Sequence, residues 1–131
     1  MEIHFKIIGI LLMFLAIVHV IFPKYFNWKQ EFQSVSLINR QMMFVHTFFI
    51  ALAVFLMGIL CLISSTDLIE TKLGKTISLG FGIFWAARLF TQIFIYSKKL
   101  WKGKTFETAM HVFFLLLWTY LSVLFILTAI N

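Results

Sequence analysis

What this chain has little of narrows it first. Of its 131 residues only 12% are charged, and five acidic residues face eleven Lys and Arg, for a formal net charge of +6. A soluble domain carries about 25% charged residues, and half that fraction does not cover a water-facing surface. A hydrophobic share of 62% excludes disorder as well, because disorder needs low hydrophobicity and high charge. Cys61 is the single cysteine, which removes an intrachain disulfide framework, zinc fingers and cysteine-held iron–sulfur clusters. There is no phosphate-binding glycine loop, no nucleophile elbow, no HExxH pair and no CxxC. Gly80 and Gly82 sit in an apolar run without the third glycine of a dinucleotide fingerprint. No Asp lies in the apolar runs to complete a Ser–His–Asp set, so no catalytic residue is assigned. In a soluble protein the positive balance would point to nucleic acid. In a membrane protein it is the ordinary excess of Lys and Arg in cytoplasmic loops, and nucleic acid is not an expected partner.

What is present is long apolar sequence, with a mean hydropathy of +0.99. A bilayer-spanning helix needs about 20 mostly apolar residues. Four stretches qualify, at about residues 5–22, 42–63, 77–96 and 110–130, each apolar nearly all round. They predict an all-α integral membrane protein of one domain, residues 1–131, built as an antiparallel four-transmembrane-helix bundle. Pro23 is expected to stop the first span, since proline lacks an N–H and restricts its predecessor. That span reads as uncleaved, because Val20, Ile21 and Phe22 stand where a signal peptide needs small residues. In residues 27–41, Trp28, Phe32, Val35 and Asn39 recur at helical spacing and run on into Met42 and His46. An amphipathic helical extension continuous with the second span is the expectation.

Charge sets the orientation. Lys24, Lys29 and Arg40 lie in one connection and Lys98, Lys99, Lys102 and Lys104 in another on the same side, seven in all, against Lys6, Lys72 and Lys75 on the opposite side. The expected topology has loops 23–41 and 97–109 in the cytoplasm and both termini outside, in a prokaryotic plasma (inner) membrane. Tyr25, Trp28, Tyr96 and Trp101 mark the same basic end, as an interfacial aromatic belt does.

Polar residues inside a bilayer are costly and point to sites. Counted at 1.5 Å per residue, His19, His46 and Gln92 lie ~6 Å from the basic end and Arg88 ~12 Å, with His111 at the boundary and Asn39 and Arg40 just outside. Every span contributes a polar group, all at one end. Phe81, Trp85, Arg88, Gln92 and Tyr96 follow at three- and four-residue steps and share a helix face. His111, Phe114, Trp118 and Ser122 share another, while Gly80 and Gly82 invite close approach by a neighbouring helix.

All five carboxylates lie outside the spans, so Arg88 has none at its own depth. Glu31 or Glu107 folding back, backbone carbonyls and water, or an external anion would serve it, and its planar fork suits a carboxylate, a lipid phosphate or a haem propionate. His19, His46 and His111 are candidate metal ligands, either as a tri-histidine site or with two of them clamping a haem iron. The leading expectation is a His-ligated haem or transition metal at the basic end, with Arg88 and Arg40 meeting anionic groups and Gln92, Tyr96 and Asn39 as hydrogen-bonding support. A redox role would follow for haem and a metal-activated water for zinc. The second expectation is a metal-free binding or transport module for an anionic lipid, quinone or organic acid centred on Arg88. The third is an accessory subunit of a larger membrane complex. The bilayer is the expected surrounding, and the exposed surface of four short spans leaves room for a homo-oligomer.

Overall fold

The computed structural model describes residues 2–25, 28–31, 33–95, 103 and 105–130. Its helices are α1 (Glu2–Tyr25), α2 (Trp28–Glu31), α3 (Leu37–Ile63), α4 (Ser65–Glu70), α5 (Lys72–Phe90), which runs on as a π-helical turn (Thr91–Ile95), and α6 (Thr105–Ile130). There is no strand among the described residues. Four segments are long and apolar enough to cross a bilayer: Glu2–Ile21, Leu37–Ile63, Lys72–Phe94 and Thr105–Ile130. The protein is an all-α integral membrane protein, with the four spanning helices that an all-α membrane bundle requires.

Three of these helices begin about five residues before the apolar runs that announce them. A helix starts at its cap, and hydropathy registers only where the apolar residues begin. Ser36 occupies the N-cap of α3, its carbonyl accepting the first intrahelical bond from the Arg40 N–H at 3.0 Å. Thr71 caps α5, its Oγ1 accepting from the Gly74 N–H at 2.9 Å.

Two local expectations are corrected. Pro23 lies inside α1, which ends two residues later at Tyr25. The missing N–H removes one bond in the last turn, so the helix unravels at its end without stopping at the ring. The segment before the second span is helical in two pieces, α2 and the first turns of α3, parted by a turn closed by Gln33 N–H donating to Gln30 O at 3.3 Å. Ser34 and Ser36 flank that turn; serine hydroxyls compete for the backbone and favour caps over helix interiors. The apolar stripe survives the break, with Trp28 edge-on to Phe44 at 5.5 Å.

The chain divides into two compact units, Met1–Ser65 and Thr66–Asn131. In the first, α1 packs on α3. Phe5, Ile8, Leu12, Leu15 and Ala16 bury one stripe of α1, and Thr47, Ala51, Val54, Gly58 and Cys61 bury one of α3, both at helical spacing. Gly9 and Gly58 meet at the crossing: a Cβ on Gly9 would fall 2.6 Å from the Gly58 carbonyl oxygen, and one on Gly58 would fall 2.7 Å from that of Gly9. Gly9 also meets Leu62 and Gly58 meets Met13, so the two helices run in opposite directions.

In the second unit α5 and α6 pair, also antiparallel, because Phe81 packs on Phe125, Trp85 on Trp118 and Gln92 on His111. Gly82 is the close point here, where a Cβ would lie 2.7 Å from Ile126 Cγ1 and 3.2 Å from its backbone nitrogen. Gly80, expected to share that role, faces open space. The short α4 folds back on the start of α5. Leu68 is buried, and Ser78 Oγ donates to the Leu68 carbonyl at 3.3 Å.

Candidate functional site

The polar residues of α5 and α6 meet on the faces these two helices turn to each other. Trp85 and Trp118 are each 2% exposed and stack at 5.0 Å between centroids, with planes 9° apart. Phe114 extends the stack on Trp118 at 5.4 Å and 14°, and Phe84 abuts Trp85 edge-on at 4.9 Å. The Arg88 guanidinium carbon lies 5.2 Å from the Trp118 ring centroid. A guanidinium at that range is attracted by the negative face of an indole, more strongly where water is thin. The depth of Arg88 therefore meets an aromatic partner inside the chain; of the two carboxylates considered for it, Glu107 is exposed, one turn before His111.

One turn further along, Gln92 is 6% exposed and its Nε2 lies 2.7 Å from His111 Nδ1. With the amide donating, Nδ1 is the acceptor and the imidazole hydrogen sits on Nε2. Gln92 belongs to the π-helical turn Thr91–Ile95. The Thr91 N–H there reaches both the Ala87 and Arg88 carbonyls, and Thr91 Oγ1 also donates to Ala87 O at 3.0 Å. Such turns widen a helix locally and recur at functional positions.

Two donors at this place are buried without an acceptor. The indole nitrogens of Trp85 and Trp118 are shut off from solvent and have no hydrogen-bond partner among the described residues. A buried donor left unpaired costs about 1–3 kcal/mol, and buried tryptophans ordinarily reach a partner. Ser122, on the same face of α6, does not serve, since its Oγ donates to the Trp118 carbonyl at 2.7 Å. The arrangement as a whole is rich in N–H donors, suited to an oxygen-bearing acceptor.

Of the residues singled out from sequence, the structure brings Arg88, Gln92 and His111 together on one helix pair. His19 and His46 belong to the other unit. His19 is half-buried on α1 with Nδ1 2.9 Å from the Leu15 carbonyl oxygen, and His46 is exposed on α3. Asn39 is exposed in the first turn of α3, and Arg40 is half-buried with its Nε shut off from solvent and without an acceptor among the described residues. Tyr96 lies outside the described residues. Among the described residues no group of three or more His, Cys, Asp or Glu side chains is placed to hold a metal ion.

Sequence reasoning missed the two tryptophans as site residues. It put Trp85 on the Arg88 face and Trp118 on the His111 face, which was the available signal; the pairing of those two helices turns both faces into one site. Comparison with models of known protein families, with curated protein sequences and with solved structures finds no match to this chain.

Proposed function

We propose that this protein binds an anionic, oxygen-bearing small molecule within the membrane, at the donor cluster between α5 and α6. The observation that carries this reading is the pair of buried indole N–H groups in the same stack that holds Arg88. An arginine supplies the charge and a two-pronged donor, and the indoles supply directional donors that no water competes for. Gln92 and His111 close the basic end of the cluster. The ligand's transport or its presentation to a partner would use this same site. The test is to extract the purified protein and identify what small molecule it retains by mass spectrometry. A stoichiometric anion in the parent protein that is lost in Arg88→Gln is the expected result; the same content in both proteins would sink the reading.

One observation favours a second reading, a histidine-ligated haem or transition metal. His19 Nδ1 against the Leu15 carbonyl leaves Nε2 as the basic nitrogen, the orientation that metal-ligating histidines usually have. An optical spectrum of the purified protein, oxidised and then reduced, decides it for haem, and metal analysis decides it for zinc or copper. Loss of the signal in His19→Ala, with His46→Ala and His111→Ala beside it, would identify the ligands.

The proposed topology places loops 23–41 and 97–109 in the cytoplasm of a prokaryotic cell, with the site near the cytoplasmic leaflet. The seven-to-three distribution of loop Lys and Arg supports it. Labelling of a cysteine introduced at Gly103 in intact cells, after Cys61→Ala, would reverse the assignment if it proceeded from the outside.

A further inference from the structure

At the end of the α5–α6 hairpin away from Gln92 and His111, a cavity of about 460 Å³ opens where α5 begins and α6 ends. Ligand sites typically enclose about 300–1,000 Å³. The cavity is lined by Glu70, Lys72, Lys75, Thr76, Leu79 and Ala129, and shares no residue with the donor cluster of the proposed function. Its lysines run against the charge pattern of the chain. Loop Lys and Arg number seven on one side of the expected topology, and only Lys6, Lys72 and Lys75 stand on the other. Two of those three line one cavity, and the general bias of Lys and Arg toward the opposite side does not account for them.

The charges are sorted in space. Lys72, Lys75, Thr76 and Leu79 follow at three- and four-residue steps along one face of α5. Glu70 ends α4 and faces the same cavity, yet it forms no ion pair with either lysine among the described residues. Opposite charges that share a cavity without touching leave room for a zwitterion between them. Thr76 Oγ1 donates to the Lys72 carbonyl at 3.1 Å, so its lone pairs join the Glu70 carboxylate as acceptors. Two cations and two acceptors therefore face the space. The corner that holds them is fixed: Thr71 caps α5 through the Gly74 N–H, Ser78 Oγ donates to the Leu68 carbonyl, and at Gly74 the Asp67 carbonyl leaves no room for a Cβ. Preorganised groups lose less on binding. Leu79 lies ~10 Å further into the span than Lys72 at 1.5 Å per residue, so the cavity runs from a charged rim to an apolar floor.

We propose that this cavity binds a phospholipid whose head group joins a phosphate to a primary ammonium, as in phosphatidylethanolamine. The phosphate takes Lys72 and Lys75, the ammonium takes Glu70 and Thr76, and the acyl chains follow Leu79 into the bilayer. A choline head group has no N–H to give Glu70, and a glycerol head group has no cation for it.

The test uses the full chain in neutral detergent, with native mass spectrometry counting bound lipid. Three probes share dioleoyl tails: phosphatidylethanolamine, phosphatidylcholine and phosphatidylglycerol. Soluble phosphoethanolamine is the fourth. One phosphatidylethanolamine should bind per chain, about fivefold more tightly than either other lipid, the upper range for solvent-accessible charge pairs. Lys75→Gln should weaken all three lipids about fivefold. Glu70→Gln should erase the preference for phosphatidylethanolamine over phosphatidylglycerol. Lys6→Gln, on the same side of the expected topology but outside the cavity, should bind like the parent. The inference is overturned if the three lipids bind alike, if Glu70→Gln keeps the parent's order, or if Lys6→Gln weakens binding as much as Lys75→Gln. Binding of soluble phosphoethanolamine without binding of the lipid would assign the cavity to a free zwitterion and overturn the lipid. An equal loss of thermal stability in Lys75→Gln with and without lipid, at unchanged lipid binding, would mean that the lysine serves the last carbonyls of α6, and that too overturns it. Lys75 is half-buried; should its variant fail to fold, Lys72→Gln at an exposed position replaces it.

Discussion

The two hairpins solve the same problem in opposite ways. In the first, α1 and α3 meet through a stripe of apolar and small side chains, and their backbones nearly touch at Gly9 and Gly58. In the second, α5 and α6 approach closely at Gly82 and Ile126, and further along the space is filled by indoles, Arg88, Gln92 and His111. Lipid tails are as apolar as leucine, so helix association in a bilayer depends on close packing and interhelical polar contacts. The first hairpin uses close packing. The second adds aromatic contacts, the Arg88–Trp118 contact and the Gln92–His111 hydrogen bond, and thereby carries groups that chemistry can address.

The contrast can be broken at several places. The largest expected effect is Trp118→Ala, which deletes the ring common to the Trp85 stack, the Phe114 stack and the Arg88 contact; a loss of about 3–5 kcal/mol in detergent unfolding is expected. A loss under ~1 kcal/mol would mean the aromatic stack is not what holds α5 to α6. Next is Gly58→Val in the first hairpin, where the added carbons meet the Gly9 carbonyl oxygen at 2.7 Å and the Met13 backbone nitrogen at 3.0 Å, so that moving the Met13 side chain alone does not make room. About 1–3 kcal/mol should be lost, and anion retention by the folded fraction should not change. A coupled loss of ligand would show that the two hairpins do not act independently. Gln92→Leu keeps bulk and removes one interhelical hydrogen bond, at a cost of about 1 kcal/mol. It should change the chemical shift or exchange behaviour of the His111 ring, and an unchanged ring signal would rule out the contact. The smallest effect sharpens the second hairpin: Gly80→Ala meets open space and should stabilise by about 0.5–1 kcal/mol, whereas Gly82→Ala must push Ile126 aside and should not. Equal effects at the two glycines would place the α5–α6 crossing wrongly.

Much of this was legible in the residues, and the part that was not has a common cause. Apolar length alone locates four spans, because no soluble fold tolerates such runs. Arg88, Gln92 and His111 stand out because intramembrane polar groups are rare. Helical spacing then places Trp85 with Arg88 and Trp118 with His111. Sequence periodicity describes each helix alone, however, and is silent on which face meets which. The Gly9–Gly58 crossing is invisible to it for that reason, although both glycines sit in apolar runs, and the packing role expected of Gly80 falls to Gly82 alone. The break before α3 is hidden because a periodic stripe shows where side chains point and not whether the backbone is continuous. Ser34 and Ser36 are the local signal that a cap, not a helix interior, lies there.

The π-helical turn at Thr91–Ile95 has a consequence for how this site can vary. A wider turn adds a residue to the helical repeat, and so works as a phase shift along α5. Upstream of it, the angular position of Trp85 and Arg88 is set by the packing on α6. Downstream, the angular position of Gln92 and of the residues beyond it is set by the shift. Deleting one residue there would restore the ordinary repeat and swing everything beyond it around the helix axis, while leaving the aromatic stack where it is. The two ends of the cluster are thus separately adjustable: one by exchanging side chains, the other by gaining or losing a single residue.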